Sequence, residues 1–333
     1  STLAAADGLA DFQADNDNPA NFLWMTDAGL GELADSAGSG SSFMVRAAAS
    51  ALLEPVTGIG ATARASTESL GGRGWLGLTP TAREAFTEIV GGDSAEGWPT
   101  LATAETVFGF RTRLDWDAFW RSAFEALPEQ RSRSLRRRLI RRAEEFDLDL
   151  EKDLLEPYTG RMAALVYGVS PNFSAGRLLE EPAEELAALD ALVAFRFDSA
   201  EAVARLREKI GDGKRRIEFG ERNLQILFSE DLVAVATPTA GDARLGKIAQ
   251  GEPEAERLAD LDSRPLGRDF AESPALAAGY LDVGRFAEVF KERLPPIPTL
   301  STFFERYREG LASLRETPHG IALETRLLLR PSE

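Results

Sequence analysis

Seven arginines crowd into twelve residues of an acidic chain: Arg131, Arg133, Arg136, Arg137, Arg138, Arg141 and Arg142. A guanidinium is a planar fork of donors that matches carboxylate and phosphate oxygens. A helix carrying seven of them is a candidate binding surface for an acidic protein partner, an anionic lipid head group or a glycan phosphate. Leu135, Leu139, Ala143 and Phe146 recur at helical spacing, so Ser132–Phe146 is expected to be that helix, with one apolar stripe and arginine over the rest. The same pattern describes a solvated face that pairs with the chain's own surplus of Asp and Glu. Arginine outnumbers lysine 33 to 5 across the chain, which fits a GC-rich genome in which arginine is the default cation.

Other reactive residue types form no recognisable machinery. The single histidine, His319, sits in Pro318-His319-Gly320, a turn before the last expected strand. There is no Gly-x-Ser-x-Gly elbow and no phosphate loop ending in Gly-Lys-Ser/Thr. Gly71-Gly72-Arg73-Gly74 reads as a hairpin turn. Asp147, Asp149, Glu151 and Asp153 alternate like the start of a calcium loop, but the glycine and the distal glutamate such a loop needs are missing. Acidic residues at a helix start, favoured by the helix dipole, explain them better. Asp115 and Asp117 read as helix-capping residues. Trp116, Phe119, Trp120 and Phe124 have the spacing of a core stripe, which leaves Trp98 as the aromatic in a loop that would suit a ligand platform. No catalytic residue, metal ligand or cofactor is expected from these motifs.

Length and charge bound the rest. The chain has 333 residues, enough for two ordinary domains. Its net charge of −16 argues against nucleic acid and against nonspecific attraction to an anionic membrane. No apolar run approaches the ~20 residues of a membrane-spanning helix. Cysteine is absent, which excludes disulfides and thiolate chemistry within the chain. Residues Ser1–Asn18 are small, polar and acidic, and read as a flexible tether of the kind that follows a lipid anchor.

Elements that would position these residues come in two similar series. Thr79-Pro80-Thr81-Ala82 returns as Thr237-Pro238-Thr239-Ala240. Each threonine is expected to cap a helix after a strand, with proline at the first helical position. Asp115, Asp198 and Asp282 each precede an apolar helical stripe. Strand, Asp-capped helix, hairpin, Thr-Pro-capped helix, strand, Asp-capped helix, helix, strand describes both halves. The expected fold is therefore α+β: two lobes from an internal duplication, residues 19–171 and 191–333, joined by a linker and short helix at 172–190. Each lobe is expected to be a mostly antiparallel sheet with helices on one face, Phe108 and Phe110 turned inward and Arg111 and Arg113 outward.

Three stretches carry a family resemblance. Asp147–Leu165 is an acidic short helix, a glycine turn at Tyr158-Thr159-Gly160 and an apolar strand. Leu232–Ala249 is a strand entering a helix through a Thr-Pro step, and Phe270–Leu281 contains Glu272-Ser273-Pro274-Ala275-Leu276 and Tyr280-Leu281. Over about residues 145–285 the chain resembles a family of bacterial exported or membrane-anchored proteins catalogued as a domain of unknown function. It departs from that family at Tyr158-Thr159, where Trp-Leu is usual. The resemblance implies an envelope location, periplasmic or lipoprotein-like, and no activity. The expectation is a non-enzymatic binding protein using the arginine helix or an inter-lobe groove. The alternatives are a carboxylate- or metal-dependent hydrolase and a structural assembly component.

Overall fold

The computed structural model describes residues 9–16, 23–26, 56–92, 94, 98, 101–126, 129–174, 177, 182–211, 216–219, 222–237, 247, 256–290, 293 and 298–331. The loop and helices expected within 27–53, and the helix expected after Thr237, lie outside them. The chain is α+β, and every pairing with a defined register is antiparallel. It divides into two compact units, residues 1–88 with 312–333, and residues 89–311.

The first unit is built on β1 (Leu23–Thr26), β2 (Val56–Ala65), β3 (Ser69–Leu78) and β12 (Gly320–Leu329), in the order β1-β2-β3-β12. Trp24, Gly60, Trp75 and Ala322 fall in one row across these strands. Helix α1 (Leu9–Asp15) lies on that row with Leu9 and Phe12 buried. The Trp75 indole N–H donates to Asp15 at 2.9 Å. Part of the expected tether is thus a packed helix, because Leu9 and Phe12 share one helical face and Phe12 fills the space left by Gly60 of the row. The turn between β2 and β3 lies at Ser66-Thr67-Glu68, where the Ser66 hydroxyl accepts from the Ser69 N–H. Gly71 and Gly72 lie inside β3, not in the turn. Helix α2 (Pro80–Val90) starts as expected, the Ala82 N–H donating to the Thr79 hydroxyl at 3.4 Å.

The second unit has the strand order β10-β4-β5-β6-β9-β8-β7: Ala277–Asp282, Phe108–Arg113, Tyr158–Val169, Leu189–Phe197, Leu232–Ala236, Arg222–Ser229 and Arg216–Phe219. Strand β11 (Tyr307–Thr317) contains the boundary between the units. The sequence Leu300–Leu314 reads as a single helix, but the helix ends at Arg306 and the chain passes directly into this strand. Residues 172–190, the expected linker, lie within the second unit, and β5 and β6 on either side of them pair directly.

Helices cover both faces of this second sheet, not one. Helix α3 is Trp116–Ala126, α4 is Glu129–Glu144, and a π-helix spans Leu150–Leu155. They are followed by α5 (Pro182–Ala187), α6 (Ala200–Ile210), α7 (Pro265–Glu272), α8 (Val283–Phe290) and α9 (Pro298–Arg306). Helix α6 and the residues after α4 pack against Phe195, Val233 and Phe228, which share a row. Helix α7 packs on the opposite face, where Phe270 lies over Tyr280 at 5.8 Å and over Gly109. A Cβ on Gly109 would come within 2.8 Å of the Phe270 ring. Strands such as Leu192–Phe197 and Leu232–Ala236 are nearly continuous apolar runs, the composition of strands buried on both faces.

Gly160 enters β5 with φ +83, and a Cβ there would meet the Leu114 carbonyl at 2.9 Å. Only glycine suits that combination. It allows the short Leu114 N–H to Gly160 O bond of 2.6 Å that brings β5 against the start of α3.

Candidate functional site

Helix α4 has the expected division of labour. Ala143 is buried, Leu135 and Leu139 are half-buried, and Phe146 packs on the core that includes Leu206 and Val233. Arg131, Arg133, Arg136, Arg137, Arg138, Arg141 and Arg142 are all exposed. Several of them serve the chain's own carboxylates and carbonyls. Arg133 pairs with Glu129 and Arg142 with Glu145, while Arg136 reaches Glu151 at 2.6 Å. The Arg137 Nε donates to the Arg133 carbonyl at 3.3 Å, and Arg142 sits over the Phe146 ring at 5.9 Å. The guanidiniums of Arg131, Arg138 and Arg141 make no hydrogen bond or ion pair among the described residues. At 3.6 residues per turn these three fall within about a quarter of the helix circumference. They form one open cationic flank.

The other side of α4 borders a cleft of about 760 Å³. Helix α3 supplies one wall. It is capped by Asp115, whose Oδ1 accepts from the Ala118 N–H at 2.9 Å. Trp116, Trp120 and Phe124, spaced i, i+4 and i+8, form a ladder of nearly parallel rings with centroids 6.0 and 5.4 Å apart. Trp120 and Phe124 line the cleft opposite Arg136 and Leu139 of α4, and Tyr158 and Leu155 complete its apolar surface. Burial pushes the Tyr158 phenol up to about 12 despite the Trp116 indole beside it, so it is neutral at physiological pH. Arg121 pairs with Asp117 at 2.7 Å within the same space.

The acidic run beyond α4 is used structurally. The Asp149 side chain caps the π-helix, accepting from the N–H groups of Glu151 and Lys152 at 3.0 and 3.1 Å. Asp153 accepts from the Asp149 N–H at 2.7 Å and from Lys209 at 2.5 Å. Burial works to raise the Asp153 pKa, but the hydrogen bonds from Lys209 and Asp149 and the charges of Lys209 and Arg205 together hold it below the ordinary value. No group of three or more His, Cys, Asp or Glu side chains is placed to hold a metal among the described residues. His319 is an exposed turn residue whose backbone N–H donates to Asp15 at 3.2 Å, with its Nδ1 3.7 Å from Asp11. Trp98 is 1% exposed and offers no loop platform.

The repeated cap motifs diverge. Asp282 matches Asp115, accepting from the Arg285 N–H at 2.9 Å. The cap of α6 is Ser199, not Asp198: its hydroxyl accepts from the Ala202 N–H and donates to Asp198. The Thr237 hydroxyl serves the sheet. It donates to the Leu189 carbonyl at 2.5 Å and accepts from the Ala191 N–H at 2.9 Å.

Two buried charges escaped the sequence pattern altogether. Arg111 is 0% exposed, whereas Phe108, expected inside, is 41% exposed. The Arg111 guanidinium donates to the Phe270 carbonyl at 2.5 Å, to the Ser94 hydroxyl at 2.6 Å and to the Ser273 carbonyl. Those carbonyls close the C-terminal end of α7. At its other end the Leu266 N–H donates to Glu309, 2% exposed, at 3.1 Å. A buried anion and a buried cation thus bracket one short helix, each at the end its dipole favours. Burial raises the Glu309 pKa, and the Leu266 N–H only partly offsets it. The signal in the sequence was Gly109, two residues before Arg111 on the same strand face, where a missing side chain leaves room for Phe270.

Comparison of the chain with protein-family models, curated proteins and solved structures finds no match. Among the described residues, no helix is long and apolar enough to cross a membrane.

Proposed function

We propose that this chain is a non-enzymatic binding protein of the bacterial envelope, possessing on α4 a docking surface for an acidic segment of another protein. The observation that carries this reading is the open flank of Arg131, Arg138 and Arg141. In a chain with 54 acidic and 38 basic side chains, these three remain exposed and unpaired among the described residues. Their helix is fixed from behind by Ala143 and Phe146, so the flank is held in place rather than collapsing onto nearby carboxylates.

Screening at physiological salt confines such attraction to roughly 8 Å. A narrow acidic segment therefore meets a local excess of arginine, while an anionic membrane plane also meets the rest of a chain of net charge −16. That difference favours a protein partner over a lipid surface. The envelope location rests on the family resemblance of residues 145–285, and its check is fractionation of the producing cells. Recovery with the cytosol would remove it. The common placement of Asp115 and Asp282, each capping a helix straight after neighbouring strands β4 and β10, supports duplication as the origin of this part of the chain.

The docking surface is tested by titrating the full chain with a fluorescent glutamate-rich peptide at low and high salt, beside vesicles containing anionic lipid. Saturable, salt-sensitive peptide binding is expected, with a loss of about tenfold or more when all three arginines are changed to glutamine. Vesicle binding in place of peptide binding would contradict the choice of partner.

A further inference from the structure

We propose that the cleft between α3, α4 and the π-helix is a binding site for an organic cation with an apolar arm, an alkyl- or arylammonium. This site is separate from the outward arginine flank of α4, and neither reading rests on the other.

The inference begins with charge. Among the described residues four carboxylates line the cleft, Asp115, Asp117, Glu151 and Glu156, against two guanidiniums, Arg121 and Arg136. Both guanidiniums are ion-paired, Arg121 with Asp117 and Arg136 with Glu151. Two anionic groups are left over. Asp115 uses one oxygen to cap α3. The Glu156 carboxylate is exposed and has no hydrogen-bond or ion-pair partner among the described residues, its backbone N–H alone donating to the Glu151 carbonyl. Tyr158 stays neutral, its phenol held up by burial. The described residues of the lining therefore carry a formal surplus of two negative charges.

The remaining surface is aromatic and aliphatic. Trp120 and Phe124 stand side by side with nearly parallel rings, and Leu139, Leu150 and Leu155 face the same space. An anion would be repelled by the surplus carboxylates. An uncharged apolar ligand would strip water from them without replacement. A cation satisfies both features at once, because an ammonium is attracted to carboxylates and to the faces of indole and benzene rings, most strongly to indole. The apolar arm then covers the leucines. The volume of about 760 Å³ is in the range of ordinary small-molecule sites.

The test titrates the full chain with benzyltrimethylammonium, followed by tryptophan fluorescence and calorimetry. Benzyl alcohol serves as the uncharged comparator and phenylacetate as the anionic one. The cation is expected to bind saturably and at least about tenfold more tightly than either comparator, a gap of the size that cation–π and carboxylate contacts supply. Trp120→Leu and Glu156→Gln are each expected to weaken it several-fold. The Glu156 side chain is exposed and bonded to no described group, so Glu156→Gln remains decisive if Trp120→Leu fails to fold. Equal binding of benzyl alcohol, tighter binding of phenylacetate, no saturable binding of the cation, or unchanged affinity in Glu156→Gln would each overturn the proposal.

Discussion

Helices α4 and α7 handle charge in opposite ways. Helix α4 exposes seven arginines and is held by its apolar stripe. Helix α7 is eight residues long, buries Leu266, Phe270 and Ala271, and is bracketed by Arg111 and Glu309, neither of which reaches water. On α4 water already solvates each guanidinium, so an ion pair there contributes little and the charge remains available to a partner. Under α7 no water replaces a lost bond, so each charge is committed to the fold. The same residue type is a recognition element on one helix and a structural strut beneath the other. Local sequence does not separate the two, since Arg111 sits in an unremarkable Phe-Arg-Thr-Arg strand.

The largest effect is expected at Arg111. Arg111→Met would leave two helix-end carbonyls and the Ser94 hydroxyl without their donor, and should cost about 3–5 kcal/mol in denaturant-melt stability. Arg111→Lys should recover only part of this, because an ammonium cannot span acceptors arranged for a planar fork. A change below about 1 kcal/mol in Arg111→Met would break the contrast between the helices.

Glu309 should give the next effect and a pH signature. Glu309→Ala removes the cap from Leu266 and is expected to cost about 1–3 kcal/mol. In the native chain the Glu309 pKa is raised by burial, so the folded state holds that proton more tightly than the unfolded state. Stability from this group is full below the ordinary glutamate pKa and declines as pH rises through the raised value. The advantage of the native chain over Glu309→Gln should therefore shrink as pH rises from the ordinary glutamate value through the raised one. An advantage that grows with pH across that window would contradict the assignment.

Asp153 provides the opposite slope on the α4 side of the molecule. Its pKa is held down by Lys209 and the Asp149 N–H in spite of burial. Its contribution is present above the ordinary aspartate value and lost as pH falls through the depressed one. Asp153→Asn should flatten the acid limb of the stability profile, read by thermal melts at descending pH. A smaller effect still is expected from Arg136→Gln, which breaks an exposed pair with Glu151 and should change stability by roughly 0–1 kcal/mol.

Much of the element order was legible because it rests on local chemistry. Thr79, Asp115 and Asp282 cap helices as their types and positions suggest, and Leu135, Leu139 and Ala143 set the inner face of α4 by spacing alone. What was illegible depended on partners distant in sequence. The alternation of Phe108-Gly109-Phe110-Arg111 suggests phenylalanines inside. The opposite holds because α7, some 160 residues later, covers the glycine-arginine face and supplies carbonyls to the guanidinium. Tether-like composition hid α1, since two apolar residues, Leu9 and Phe12, suffice to dock seven residues on the row of Trp24, Gly60, Trp75 and Ala322. The Thr237 hydroxyl bonds backbone of β6, a partner its own neighbourhood does not reveal, and the helix expected after it lies outside the described residues. The cleft went unread because its charge balance is set by α3, α4 and the π-helix together. The Trp116, Trp120 and Phe124 stripe looks like core when α3 is viewed alone.

The most direct measurement takes the triple variant Arg131→Gln, Arg138→Gln, Arg141→Gln and records its melting curve and its affinity for the glutamate-rich peptide on the same preparation. An open recognition flank predicts a melt within about 0.5 kcal/mol of the native chain together with a loss of peptide affinity of about tenfold or more. A destabilised variant, or one that melts normally and binds the peptide as well as the native chain, would contradict it.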